Sequence, residues 1–147
     1  MSPALAIRPL ALLLAVFALP GCTRDLLEAA DAGDVRAQYE LGSAYAAGDG
    51  VPLNLVEAAR WFGKAAANGN SEAQFCLGLA YSRGEGVPED HAEAVRWYRR
   101  AAEQGHADAQ FNLAYAYAHG RGVPADAVEA RKWLRKSEGR KGIEDPD

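Results

Sequence analysis

The 36 residues 73–108, AQFCLGLAYSRGEGVPEDHAEAVRWYRRAAEQGHAD, decide the fold, because residues 37–72 before them and 109–144 after them align with no gap. The three segments open Ala37-Gln38-Tyr39, Ala73-Gln74-Phe75 and Ala109-Gln110-Phe111. Each continues with a leucine (Leu41, Leu77, Leu113), a small residue (Gly42, Gly78, Ala114) and a tyrosine (Tyr45, Tyr81, Tyr117). A Gly-x-Gly-Val-Pro turn follows, with its glycines at Gly48 and Gly50, Gly84 and Gly86, Gly120 and Gly122. Later come an alanine and a tryptophan: Ala58 and Trp61, Ala94 and Trp97, Ala130 and Trp133. Self-similarity at one fixed period is the mark of a stacked-repeat architecture.

Each unit reads as two helices joined by a turn. Ala37, Leu41 and Tyr45, with their equivalents, recur at helical spacing and predict first helices over about 35–47, 71–83 and 107–119. Glycine ends each of these, because it tolerates the left-handed backbone just past a helix terminus, and proline blocks continuation. Asn54 with Glu57, Asp90 with Glu93 and Asp126 with Glu129 then form the capping-box spacing that starts second helices reaching about 68, 104 and 138. The small residues at 42, 78 and 114 are expected to let paired helices approach closely. Trp61, Trp97 and Trp133 are expected to fill the core between layers, with Trp97, in the middle layer, mattering most to stability. The expected fold is therefore all-α, an α/α superhelical solenoid of three 36-residue hairpin repeats. Residues 22–36 contain Ala29-Ala30-x-x-Gly33, which matches the close of a unit and predicts a half-repeat helix capping the stack. At the other end Ser137-Glu138 replaces the Ala-Ala pair among six basic residues from Arg131 to Lys141, which reads as a solvated terminal helix or as an anion-docking end. Residues 145–147 are expected to be a disordered tail, with order lost from about Gly142.

The N-terminus reads as an address. Arg8 precedes an uninterrupted apolar run at 10–19, too short for a permanent span but suited to a signal peptide covering 1–21. The run ends Leu19-Pro20-Gly21-Cys22, which resembles the bacterial lipobox, although Pro20 stands where that pattern has a small or β-branched residue. The resemblance implies lipidation of Cys22 and, with Thr23 following, an outer-membrane lipoprotein facing the periplasm. A soluble periplasmic or secreted protein cut near 18–21 is the other reading. If Cys22 is acylated, Cys76 has no disulfide partner. The net charge of −4 gives no electrostatic case for nucleic acid.

The repeat residues resemble the Sel1-like repeat family, a relative of the tetratricopeptide repeats; the latter are shorter, at 34 residues, and lack the Gly-x-Gly-Val turn. The resemblance implies a protein-assembly adaptor, often in the bacterial envelope, with the first helices lining an inner curve. Cysteine-rich relatives have been described as β-lactamases, but the paired cysteines of those proteins are absent here. Neither Ser-x-x-Lys, Gly-x-Ser-x-Gly nor His-Glu-x-x-His occurs, so no catalytic constellation is expected, and no cofactor or metal. His91, His106 and His119 read as separate surface residues, and Cys76 as an inert thiol.

First-helix positions that vary between units are free of the packing common to all three. One such stripe comprises Glu40, Ser43 and Ala47; Cys76, Leu79 and Arg83; Asn112, Tyr115 and His119. It is the expected groove for an unidentified envelope protein or peptide, bound by a monomer. The bland reading is that Leu79 packs on the next hairpin and Tyr115 is incidental. Function then reads as a non-enzymatic scaffold, with an envelope hydrolase or a toxin-binding immunity factor as alternatives.

Overall fold

The computed structural model describes residues 21–139. Apart from Gly21, the expected signal segment lies outside them, as does the expected tail. Seven helices follow in order among the described residues: α1 (Gly21–Asp31), α2 (Val35–Ala47), α3 (Leu55–Ala67), α4 (Ser71–Arg83), α5 (His91–Glu103), α6 (Ala107–His119) and α7 (Ala127–Ser137). Hairpins α2–α3, α4–α5 and α6–α7 stack one on the next, α3 against α4 and α5 against α6, with α1 packed on α2 as the half-repeat. No strand occurs among the described residues, and no helix there is long and apolar enough to cross a membrane.

Close approach within a hairpin depends on glycine. A Cβ on Gly78 would lie 2.6 Å from the Tyr98 ring, and one on Gly42 2.7 Å from that of Phe62. Ala114 is tolerated in the third unit because Leu134 replaces the aromatic ring there. The second glycine of each turn serves the neighbouring layer. Gly86 has φ 76°, and a Cβ on it would run into the Leu55 carbonyl at the start of the preceding unit's second helix.

The caps differ in one respect from the capping-box expectation. Asn54, Asp90 and Asp126 accept from the N–H groups two and three residues on, as the spacing predicts. The glutamates do not reach back. Each N-cap N–H instead donates to Tyr45, Tyr81 or Tyr117 at 2.9 Å, which ties the turn to the end of the first helix. Glu57 and Glu93 therefore pair with Arg60 and Arg96, and Glu129 takes both Lys132 and the Trp133 indole. First helices carry caps of their own, Asp34, Asn70 and His106. His106 is thus no idle surface residue. Its Nδ1 accepts from Ala109 N–H, its Nε2 lies 3.2 Å from Glu72, and its ring stacks on Phe75.

Trp97 is not the most deeply packed tryptophan. Trp61 and Trp133 are 1% and 5% exposed, whereas Trp97 is only half-buried. The cause lies one layer away. Trp61 shares a buried cluster with Leu27 of α1. The position equivalent to Leu27 in α3 is Gly63, beside which a Cβ would meet nothing within 4 Å. In register, the leucine that shares the Trp61 cluster has no side-chain counterpart for Trp97. Trp61→Ala should therefore cost about 3–5 kcal/mol, as buried tryptophan truncations do, and Trp97→Ala about 1–2 kcal/mol. Gly63→Leu should raise the thermal midpoint by about 4 °C, by helix propensity alone and more by covering Trp97. Thermal denaturation of the three variants checks the order.

Candidate functional site

Between successive hairpins the helices diverge on one side and leave furrows. The first, about 350 Å³, lies between units one and two and is lined by Ser43, Leu55, Phe62, Cys76, Leu79 and neighbouring alanines. The second, about 220 Å³, lies between units two and three. Its walls repeat the first in register but not in chemistry. Ser82 stands for Ala46, His91 for Leu55, Tyr98 for Phe62, Asn112 for Cys76 and Arg121 for Glu85. The third, about 620 Å³, is the same furrow on the last described hairpin. Phe111 there is 53% exposed, whereas the equivalent Phe75 is covered by His106, the N-cap of α6.

The predicted stripe falls along these furrows with one exception. Ser43, Ala47 and Cys76 line the first, and Asn112 the second. Leu79 and Arg83 line both, and Tyr115 lines the second and third with His119 beside it, so the three furrows are contiguous. Glu40 stands apart, exposed and paired with Arg36 at 2.9 Å. Leu79 also packs against the core of the following layer, so it serves packing and lining together. Tyr115 is 46% exposed and stacks on His119 with ring centroids 4.0 Å apart.

Second-helix and turn residues, absent from the sequence reading, supply half of each wall. His91, Tyr98 and Arg121 were legible by the register comparison that found the first-helix stripe, had it been extended past the turn. Tyr98 is hydrogen-bonded to Ser82 and Asn112, and burial is the largest influence on its hydroxyl, raising its pKa. Arg121 Nη2 lies 3.2 Å from His91 Nε2, which in turn lies 3.2 Å from Glu89. Arg83 meets Glu85 only at 4.0 Å.

No group of His, Cys, Asp and Glu able to hold a metal occurs among the described residues. Burial, with Glu72 second, pushes the Cys76 thiol up from 9.0 to about 11, so it stays protonated at neutral pH. Cys22 is exposed in the first turn of α1, at the far end of the stack from the third furrow.

The Sel1 repeat matches residues 35–70, 71–106 and 107–137. The chain belongs to the Sel1 repeat family. Its helical-hairpin stack is shared by c5321, a protective antigen present in uropathogenic Escherichia coli strains and displaying an SLR fold, at 42% identity and TM-score 0.76. That match covers 80% of this chain but 25% of the antigen, so this chain spans about a quarter of that protein's length. A Sel1 repeat protein from Oxalobacter formigenes is 42% identical over 81% of this chain and 90% of its own, with TM-score 0.72. Helicobacter pylori cysteine rich protein B shares the fold, at 22% identity over 82% and 92% of the two chains and TM-score 0.62. No curated protein matches the chain. A Sel1 repeat stack suggests a scaffold for protein–protein interaction, and the family is generally non-catalytic.

The buried thiol gives a direct check on the absence of nucleophile activation. In a Cys22→Ser background, Cys76 should react with iodoacetamide at pH 8 about a hundredfold more slowly in the folded protein than in urea, following the rise of its pKa from 9.0 to about 11. Equal rates would mean an accessible, activated thiolate.

Proposed function

We propose that the protein is a non-enzymatic adaptor of the bacterial cell envelope, holding a segment of an envelope protein or peptide in the contiguous furrows. The observation that carries this reading is the placement of the residues the repeat leaves free. Ser43, Cys76, Leu79, Arg83, Asn112, Tyr115 and His119 run along one connected set of furrows spanning all three units. An exposed aromatic and a cation beside half-buried apolar groups is the composition of an interface centre.

The anchor belongs to the same proposal. Cys22 follows an apolar run and stands exposed at the start of α1, where acyl chains would tether the α1 end of the stack. One acyl chain binds a membrane only marginally, so stable attachment calls for more than one. Cys22→Ser should abolish fatty-acid labelling and leave unprocessed precursor. Normal maturation of the variant would remove the lipoprotein reading and leave a soluble periplasmic or secreted protein.

The furrow is tested by the triple variant Leu79→Ser, Arg83→Glu and Tyr115→Ala, with circular dichroism confirming the helical fold. After crosslinking in the native envelope, the variant should recover the wild-type protein's partners at about a tenth of the yield or less, the loss expected on removing interface anchors. Undiminished recovery would move binding to the outer face.

A further inference from the structure

Three furrows of one backbone geometry allow a comparison that a single pocket does not. Whatever the repeat requires for folding should recur in each. What differs between the furrows is free of that requirement. The first furrow is apolar, with Leu55 and Phe62 on its second-helix wall. The third is mostly apolar too, formed by Phe111, Leu134, Tyr115 and alanines, with His119 and Arg131 also lining it. The second, between them, replaces Leu55 by His91, Phe62 by Tyr98 and Glu85 by Arg121, and Arg83 reaches into it from the shared rim. The change at 121 reverses a charge. Phe62 and Tyr98 are both buried, at 7% and 5% exposed, so packing is met equally by either ring. The hydroxyl that distinguishes them is turned to Ser82 and Asn112 along the polar furrow.

We propose that the furrows take an extended peptide segment bearing an apolar, an acidic and a second apolar side chain at intervals of three residues, with its carboxylate between Arg83 and Arg121. This rests on the adaptor reading and names the chemistry of the ligand. Charge complementarity sets the acidic residue. Neither arginine is saturated: Arg83 has Glu85 only at 4.0 Å, and Arg121 meets the His91 ring at 3.2 Å. Glu89 approaches His91, not the guanidinium, and is 60% exposed. The spacing follows from the stack. Successive hairpins pack helix on helix, and directly packed helices lie about 8–10 Å apart. A polyproline-type segment advances about 3.1 Å per residue with three residues per turn, so every third side chain returns to one face after about 9 Å. A β-strand returns after about 7 Å and drifts out of step with the layers.

The probes are labelled peptides offered to the full-length protein: acetyl-Leu-Pro-Ala-Glu-Pro-Ala-Leu-amide, the same peptide with Gln or Lys for Glu, and a helical peptide with Leu, Glu and Leu seven residues apart. Fluorescence anisotropy should show saturable binding of the Glu peptide, weakened about tenfold by Gln and more by Lys. Arg121→Glu should weaken the Glu peptide about tenfold and improve the Lys peptide over its binding to wild type, an exchange that a merely misfolded variant does not produce. Equal binding of the Glu and Gln peptides overturns the carboxylate assignment, and preference for the seven-residue spacing overturns the extended conformation. If no peptide binds while the triple furrow variant loses its envelope partners, this proposal falls and the adaptor reading stands. If no peptide binds and the triple variant keeps its partners, both fall.

Discussion

Three buried glutamine amides set the distance between layers. Gln38, Gln74 and Gln110 reach back eight residues to the carbonyls of Ala30, Ala66 and Ala102, at 3.2, 3.1 and 3.0 Å. Each carbonyl sits in the last turn of a helix, where intrahelical donors have run out, and takes the N–H of the following glycine on its other lone pair. A hydrogen bond of this kind contributes about 1 kcal/mol net, but a glutamine buried without it costs more. The bond therefore fixes where the next hairpin begins. It also requires helix surfaces that come close, and Ala65, Ala73, Ala101 and Ala109 are fully buried around it. Alanine is abundant in this chain because the layers are held near one another by polar geometry, and larger residues would separate them.

Once the layers are fixed, the furrow side of the stack is free to vary. Packing is confined to the alanines, leucines and ring positions between helices, while the residues that open onto the furrows change from unit to unit without disturbing them. Tyr98 in place of Phe62 shows how the two demands are met by one side chain: the ring fills the same core site above a glycine, and the hydroxyl faces Ser82 and Asn112. A repeat protein can thus alter the chemistry of one subsite at a time.

The helices were legible in the sequence because their ends are written in local chemistry, glycine after the first helix and Asn or Asp before the second. The misreadings were all non-local. The glutamates of the capping boxes find other partners because the cap N–H groups are already taken by tyrosine carbonyls nine residues back, a bond that exists only when the turn closes. Trp97 looked central by its place in the middle unit. Its cover is decided by residue 63, in the preceding layer, and a glycine there is invisible to the pattern around Trp97. His106 reads from sequence as a surface residue because histidine is an unusual cap, although it stands in register with Asp34 and Asn70. The furrow stripe was legible on the first helices because variation was sought there. Its other wall lies on the second helices and the turns, and only the fold brings the two walls together.

The basic residues of α7 acquire a structural reading from the same register. Lys132 pairs with Glu129 as Arg96 does with Glu93 and Arg60 with Glu57. Lys136 lies 4.3 Å from the Trp133 ring, as Arg100 lies 4.6 Å from that of Trp97 and Lys64 4.2 Å from that of Trp61. A cation over an indole face is favourable, and its aliphatic stem shields the ring from water. These charges recur because every second helix uses them, and a residue used in all three units gives no sign of an anion bound at one. Arg131 is the departure, since Ala59 and Val95 are buried at its equivalents. It is exposed, and it lines the third furrow beside Leu134. The α7 helix thus keeps the charges its own hairpin uses, and Arg131 adds a cation to the lining of the third furrow.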